Sequence, residues 1–203
     1  MVLEVMGRFA GWIALESAIS GGADVALIPE IPYDINKAAE TINKRKQSGK
    51  KFSVVVVSEG AHPKNEEATT HSAEGIDNQA GISIKFGGEG TRVAKELQEL
   101  TGLEARCTTL GYMQRGGTPT AYDRVLSTKY GAKAMELAMD GKFGVLTVIK
   151  NGKLDSVPLE IVVGKNKELG AVQGGTAESN VRYVTMDHDL VKTARDIGIC
   201  LGD

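Results

Sequence analysis

Cysteine is scarce in this sequence. Cys107 and Cys200 are its only two, far apart and each in an apolar setting. The expected state is a pair of buried free thiols in a reducing compartment. A cationic surplus is also missing, because 24 Lys and Arg against 26 Asp and Glu leave a net charge of −2. Nonspecific affinity for nucleic acid rests on surplus cations, so no nucleic-acid partner is expected. No apolar run reaches the ~18 residues of a membrane span, which argues against a membrane partner. Met1-Val2-Leu3-Glu4-Val5 has no basic region and no cleavage site. It reads as the middle of a strand, not as a signal peptide, and the expected location is cytoplasmic. No Ser–His–Asp order, CxxC pair, Walker A sequence or GxGxxG stands out.

What is present is an ordinary globular composition, 41% hydrophobic and 25% charged over 203 residues. That suffices for one large domain or two small ones. After the opening strand, Phe9 to Ser20 predicts a helix that is apolar nearly all round and hence buried, ended by Gly21-Gly22. Ala23 to Pro29 and Phe52 to Val57 are continuous apolar runs of strand length, the pattern of strands covered on both faces. Between them, Asp34 is set as the N-cap of a helix with Ile35, Ala38, Ala39 and Ile42 on one face. Alternating buried strands and helices imply an α/β fold with a parallel sheet sandwiched between helices. The polar segment from Ala61 to Gly88 reads as a functional loop or an insertion. Helices are expected from Thr91 to Leu100, from Pro119 to Ala138 and from Asp189 to Ile199. Strands are expected at Val145–Ile149, turning at Asn151-Gly152, and at Arg182–Met186, with an apolar run at Leu159–Val163. Lys165–Ala171 reads as a polar connection and Val172–Gly175 as a loop.

The chain is organised around Leu110-Gly111-Tyr112-Met113-Gln114-Arg115-Gly116-Gly117-Thr118-Pro119, which follows the strand-like Ala105–Thr109. A strand, a glycine-rich corner with an arginine and a helix start make a good anion site. Ligands of parallel sheets sit beyond the carboxyl ends of the strands. Arg8, Glu59 and the Tyr112–Arg115 corner all fall at such ends, with His62 nearby as a possible general base. Arginines suit phosphate because the guanidinium fork matches its oxygens. Gly87-Gly88-Glu89-Gly90 offers a second, weaker phosphate cradle, read more simply as a turn. Met186-Asp187-His188-Asp189 has metal-ligand residue types but reads as a helix cap. The residues alone thus indicate an α/β domain that binds a phosphorylated small polar molecule.

At Met6-Gly7-Arg8, Ser58-Glu59-Gly60 and Leu110–Pro119 the sequence resembles the 6-phosphofructokinase family, and the match runs through nearly the whole chain. Phe9-Ala10-Gly11-Trp12 and Ile28-Pro29-Glu30-Ile31-Pro32 resemble the branch holding both ATP- and pyrophosphate-dependent enzymes. The resemblance implies a three-layer parallel-sheet sandwich and phosphoryl transfer from ATP or pyrophosphate, with Mg²⁺, to the 1-hydroxyl of fructose 6-phosphate in glycolysis. It implies that Met6, Gly7 and Arg8 touch the sugar and its reacting end, with Arg8 catalytic. It further implies that Glu59 takes the sugar hydroxyls and that Arg115 holds the 6-phosphate. Arg106 would reach the 6-phosphate of a neighbouring subunit, making a homo-oligomer, dimer or tetramer, part of the mechanism. Tyr112 stands where the family commonly has histidine; a phenol still donates one hydrogen bond to phosphate. Lys50 and Lys51 represent part of the effector cluster of regulated bacterial members, but Ser48 fills an often basic position. That argues against allosteric control by nucleotides.

The family's Gly-rich donor site, Mg²⁺ site and general-base aspartate have no counterpart in these residues. The resemblance therefore implies the C-terminal part of such an enzyme, with the N-terminal donor domain largely missing and no turnover by the chain alone. Residues 1–113 would form the fructose 6-phosphate domain, 114–163 part of the donor domain and 164–203 a return segment. The stripe from Tyr122 to Ala138 would then lack part of its partner. The other reading is a non-catalytic or regulatory module that binds sugar phosphate.

Overall fold

The computed structural model describes residues 1–66, 71–72, 84–85, 88–160 and 182–203. In chain order the elements are β1 (Val2–Val5), α1 (Trp12–Gly21), β2 (Val25–Leu27), α2 (Ile35–Gln47), β3 (Val55–Ser58), β4 (His71–Ser72) and β5 (Ile84–Lys85). There follow α3 (Glu89–Thr101), β6 (Cys107–Thr109), a 3₁₀ turn (Gly111–Arg115), α4 (Ala121–Met139), β7 (Val145–Lys150), β8 (Lys153–Pro158) and α5 (Asp189–Asp196). They fall into two compact units, Met1–Arg115 with Val181–Asp203, and Gly116–Asn180. The run at Leu159–Val163 beyond Glu160, the segments 165–175 and most of 67–87 lie outside the described residues.

The first unit is built on a four-stranded parallel sheet ordered β2-β3-β1-β6, with Val2 opposite Val55 and Cys107, and Val25 also opposite Val55. Side chains alternate faces along a strand, so each strand feeds two cores. Ala26 and Val56 join Leu15 and Ala18 of α1 and Val191 and Ala194 of α5 on one face. Val25, Leu27, Val55 and Val57 join Ala38 and Ile42 of α2 and Val93 and Leu97 of α3 on the other. Three layers result, and the apolar strand runs follow from burial on both faces. Asp34 caps α2 as its position predicts, its Oδ1 accepting from Asn36 N at 2.9 Å. Lys44, Arg45 and Lys46 in the last turn of α2 complement its dipole.

Some boundaries differ from the sequence expectation, each for a stated reason. α1 starts at Trp12, not Phe9: Gly11 is its N-cap, and both carboxylate oxygens of Glu30 accept from Gly11 N, at 3.0 and 3.1 Å. Arg182–Met186 is not a strand: Val184 N bonds to Glu30 Oε1 at 2.8 Å instead of to a neighbouring strand. Near the end of the chain, Cys200 bridges Val25 in parallel, extending the β2 edge by one unforeseen rung. The two cysteines are free and half-buried rather than buried, and they lie at opposite edges of the sheet, too far apart to bridge. Desolvation pushes the Cys107 thiol above its ordinary value.

The second unit packs α4 on the β7–β8 hairpin, paired from Val145 opposite Pro158 to Lys150 opposite Lys153. Asn151 and Gly152 both have positive φ, 50° and 75°, as the two central residues of a type I′ turn require. α4 opens at Ala121, two residues after Pro119. Thr120 and Asp123 cap it reciprocally: Thr120 Oγ1 accepts from Asp123 N, and Asp123 Oδ2 accepts from Thr120 N. Only Leu137 of this helix is buried, while Tyr122, Val125, Met135 and Met139 are exposed.

Candidate functional site

Because β1, β3 and β6 run parallel, their carboxyl ends meet at one edge of the sheet. Met6-Gly7-Arg8 leaves β1 there, Glu59-Gly60 leaves β3, and Leu110 with the 3₁₀ turn leaves β6. Ladder bonds continue just past the strands, from Glu59 N to Val5 O at 2.9 Å and from Leu110 N to Glu4 O at 3.0 Å. The three corners then lock together. Gly7 N donates to Glu59 Oε1 at 3.3 Å, Ser58 Oγ donates to Gly7 O at 2.6 Å, and Gly60 N donates to Gly7 O at 3.1 Å. From the other side Met6 N donates to Gln114 Oε1 at 3.2 Å.

Two glycines make this closeness possible. Gly7 has φ +151°, and a Cβ there would lie 2.2 Å from Ser58 Oγ. A Cβ on Gly60 would lie 2.0 Å from Arg8 O. No side chain fits either position without moving backbone.

Of the residues singled out from sequence, the structure brings Met6, Gly7, Arg8 and Glu59 into one corner and sets Tyr112 and Arg115 on the adjoining turn. Arg8 is exposed, its guanidinium carbon 5.3 Å from the centre of the Phe9 ring. Tyr112 (83% exposed) and Arg115 present their side chains to solvent. Arg106 lies elsewhere. It precedes β6 at the amino edge of the sheet, where its carbonyl accepts from Val2 N and its side chain pairs with Glu104 at 2.7 Å. At ~3.3 Å per residue, the four residues from Arg106 to Leu110 carry the chain about 13 Å away from the corner. His62 is half-buried, and its Nδ1 is enclosed without a hydrogen-bond partner among the described residues. Nothing there orients the ring as a general base requires.

The second phosphate cradle read from Gly88-Glu89-Gly90 is already filled, and Gly87 lies outside the described residues. Glu4, 2% exposed on the central strand, accepts from Gly88 N at 3.0 Å and Gly90 N at 2.7 Å. An internal carboxylate thus occupies the N-terminus of α3, where a phosphate would sit. Sequence reasoning missed Glu4; the signal was a lone acid inside an apolar strand. Beside it, the Tyr33 hydroxyl donates to the buried Glu89 carboxylate. Burial pushes Glu89 above the ordinary carboxylate range, against the downward pull of the Tyr33 hydrogen bond and Arg92. His188 is the cap expected of its cluster, Nδ1 accepting from Leu190 N at 3.2 Å. No three His, Cys, Asp or Glu among the described residues come together to hold a metal. No described helix is long and apolar enough to cross a membrane.

Chemically, the corner offers two solvent-facing guanidinium groups and a phenol for an anion, and a carboxylate with spare acceptor capacity for hydroxyls. Comparison with known proteins identifies the family. The phosphofructokinase family model matches residues 1–138. ATP-dependent 6-phosphofructokinase 2 of Clostridium perfringens is 44% identical over 204 residues, covering 100% of this chain and 51% of that protein. The ATP-dependent 6-phosphofructokinase of Spirochaeta thermophila is 40% identical over 203 residues, covering 100% of this chain and 50% of that protein. The chain therefore spans about half the length of the curated relatives it matches. Among solved structures, Saccharomyces cerevisiae phosphofructokinase superposes with a TM-score of 0.63 at 30% identity, over 83% of this chain and 21% of that one. The pyrophosphate-dependent phosphofructokinase of Nitrosospira multiformis gives 0.65 at 23% identity, over 100% of this chain and 48% of that one, which speaks to the fold alone.

Proposed function

The chain belongs to the phosphofructokinase family, and from that premise we propose that it supplies the fructose 6-phosphate site of an enzyme that phosphorylates the sugar's 1-hydroxyl. The observation that carries this reading is the convergence of three strand ends, with Glu59 holding Gly7 N while its second oxygen stays available. In this reading Arg115 and Tyr112 take the 6-phosphate, and Glu59 Oε2 accepts from sugar hydroxyls. Met6 and Gly7 contact the sugar, and Arg8 stands at its reacting end. There the Arg8 guanidinium offsets negative charge developing as the phosphoryl group moves, while the other groups position the sugar. Arg106, remote from its own corner, serves the 6-phosphate of a neighbouring subunit, so the working form is a homo-oligomer.

ATP is the phosphoryl donor in the names of the similar sequences, and we take it as donor here. The donor would bring Mg²⁺ to neutralise phosphate charge when bound. The donor-binding groups and the general base are not assigned to any of these 203 residues. The chain alone is thus expected to bind fructose 6-phosphate and not to turn it over.

Calorimetric titration of the purified chain with fructose 6-phosphate tests the site. Loss of the Arg115 charge-assisted hydrogen bonds in Arg115→Ala should weaken binding ~10–100-fold. Equal affinity in both proteins would refute the assignment.

A further inference from the structure

We propose that Gln114 is a positioning residue that fixes the two ends of the sugar site relative to one another; this rests on the function proposed above. A parallel ladder joins β1 and β6. Val2 N donates to Arg106 O, and Leu110 N donates to Glu4 O. The parallel register, two residues per repeat, makes Leu110 O the next acceptor for Met6 N. At Leu110 the chain turns away from the ladder, and its carbonyl accepts from Met113 N at 3.1 Å instead. Gln114 fills the vacant place. Its Oε1 accepts from Met6 N at 3.2 Å, and its Nε2 donates to Gly111 O at 3.2 Å.

A side chain of the 3₁₀ turn thus supplies the last rung of the sheet. An amide is suited to the task, since one group accepts and donates in fixed geometry. The consequence is specific. Gln114 lies between Tyr112 and Arg115, the proposed phosphate ligands, and its bond is to Met6, which opens the Met6-Gly7-Arg8 corner at the reacting end. Gly7 is held on the far side by Glu59. Without the Gln114 side chain, Glu59 still holds Gly7, and the turn carrying Arg115 loses its bond to Gly111 O but keeps the Met113 N bond to Leu110 O. The spacing between the two groups is no longer set.

Gln114→Met tests this. The thioether side chain keeps the length and suits the neighbouring apolar surface of Leu3, Val5 and Leu110, but removes the amide acceptor and donor. Two ligands are titrated calorimetrically into the intact chain: fructose 6-phosphate, which needs both ends, and inorganic phosphate, which needs only the Arg115 end. Amide exchange at Met6 and the melting temperature are followed in parallel. The expected result is a ~5–10-fold loss of fructose 6-phosphate affinity, the equivalent of one hydrogen bond. Phosphate affinity should stay within about twofold, Met6 exchange should quicken, and the melting temperature should hold. Three results would overturn the proposal: unchanged sugar-phosphate affinity, equal loss for both ligands, or a variant that melts at a much lower temperature with both affinities reduced. A wild-type chain that does not prefer fructose 6-phosphate to phosphate overturns the proposed function as well. A preference retained by the variant overturns only the role of Gln114.

Discussion

Glu4 and Gly90 stand 86 residues apart in sequence, and a 2.7 Å hydrogen bond joins the buried carboxylate of one to the amide of the other. With Gly88 N also bound, Glu4 ties the central strand to the first turn of α3. Replacing it with leucine leaves the Gly90 amide without a partner in a buried place, while the exposed Gly88 amide can turn to water. At ~1–3 kcal/mol for an unsatisfied buried donor, Glu4→Leu should lower unfolding free energy by about that amount. Urea denaturation of the two proteins checks this, and a loss below about 1 kcal/mol would mean that water or backbone relaxation replaces the carboxylate.

Glu89 gives stability a pH dependence of definite sign. Burial raises its folded affinity for a proton above the ordinary carboxylate value. Between the ordinary value, about 4.3, and its raised folded value, the folded state binds more proton than the unfolded state. The favourable contribution is complete below the ordinary carboxylate range and is lost as pH rises through the folded value. Glu89→Gln keeps an acceptor for the Tyr33 hydroxyl and cannot titrate. The stability of the wild-type chain relative to this variant should therefore fall as pH rises from about 4 towards neutrality. Denaturation series at several pH values would show it, and a flat difference would contradict it.

Gly7→Ala should disable the corner more than its size suggests. The new methyl would sit 2.2 Å from Ser58 Oγ at φ +151°, forcing Gly7 away from Glu59 and Gly60. Strain of this kind costs ~1–3 kcal/mol. Fructose 6-phosphate affinity should fall more than tenfold while the far-ultraviolet spectrum is unchanged. Alanine with normal affinity would show that Gly7 is not held as described.

The exposed apolar side chains of the second unit, from Tyr122 and Val125 to Met139 (78% exposed), predict self-association. Sedimentation of the isolated chain should show oligomers that dissociate when Tyr122 and Met139 are changed to lysine. A monomer at all concentrations that binds no apolar dye would count against it.

Much of the fold was legible in the sequence because burial dictates it. The valines of β3 and the apolar run of β2 read as strands covered on both faces, and Asp34 read as a cap. What stayed hidden depends on side chains meeting across long separations. Glu30 accepts from Gly11, the N-cap of α1, and it satisfies Val184 in place of a ladder partner. Periodicity carries no trace of either contact. Thr120 and Asp123 did leave a capping signature, which the neighbouring Pro119 obscured. Arg8, Glu59 and Arg115 were visible from their places after strands. Gln114 was not, since its role appears only once the register places Met6 N opposite Leu110, where the chain has turned and Leu110 O accepts from Met113 N.

The central claim is that fructose 6-phosphate binds at the carboxyl edge of β1, β3 and β6. Mapping amide chemical shifts while titrating the intact chain with fructose 6-phosphate tests it most directly. The account predicts changes confined to Met6–Arg8, Glu59-Gly60 and Tyr112–Arg115, with Gly88 and Gly90 unmoved because Glu4 already occupies their amides. Saturable shifts at Gly88–Gly90 with none at Gly7 or Arg115 would contradict it.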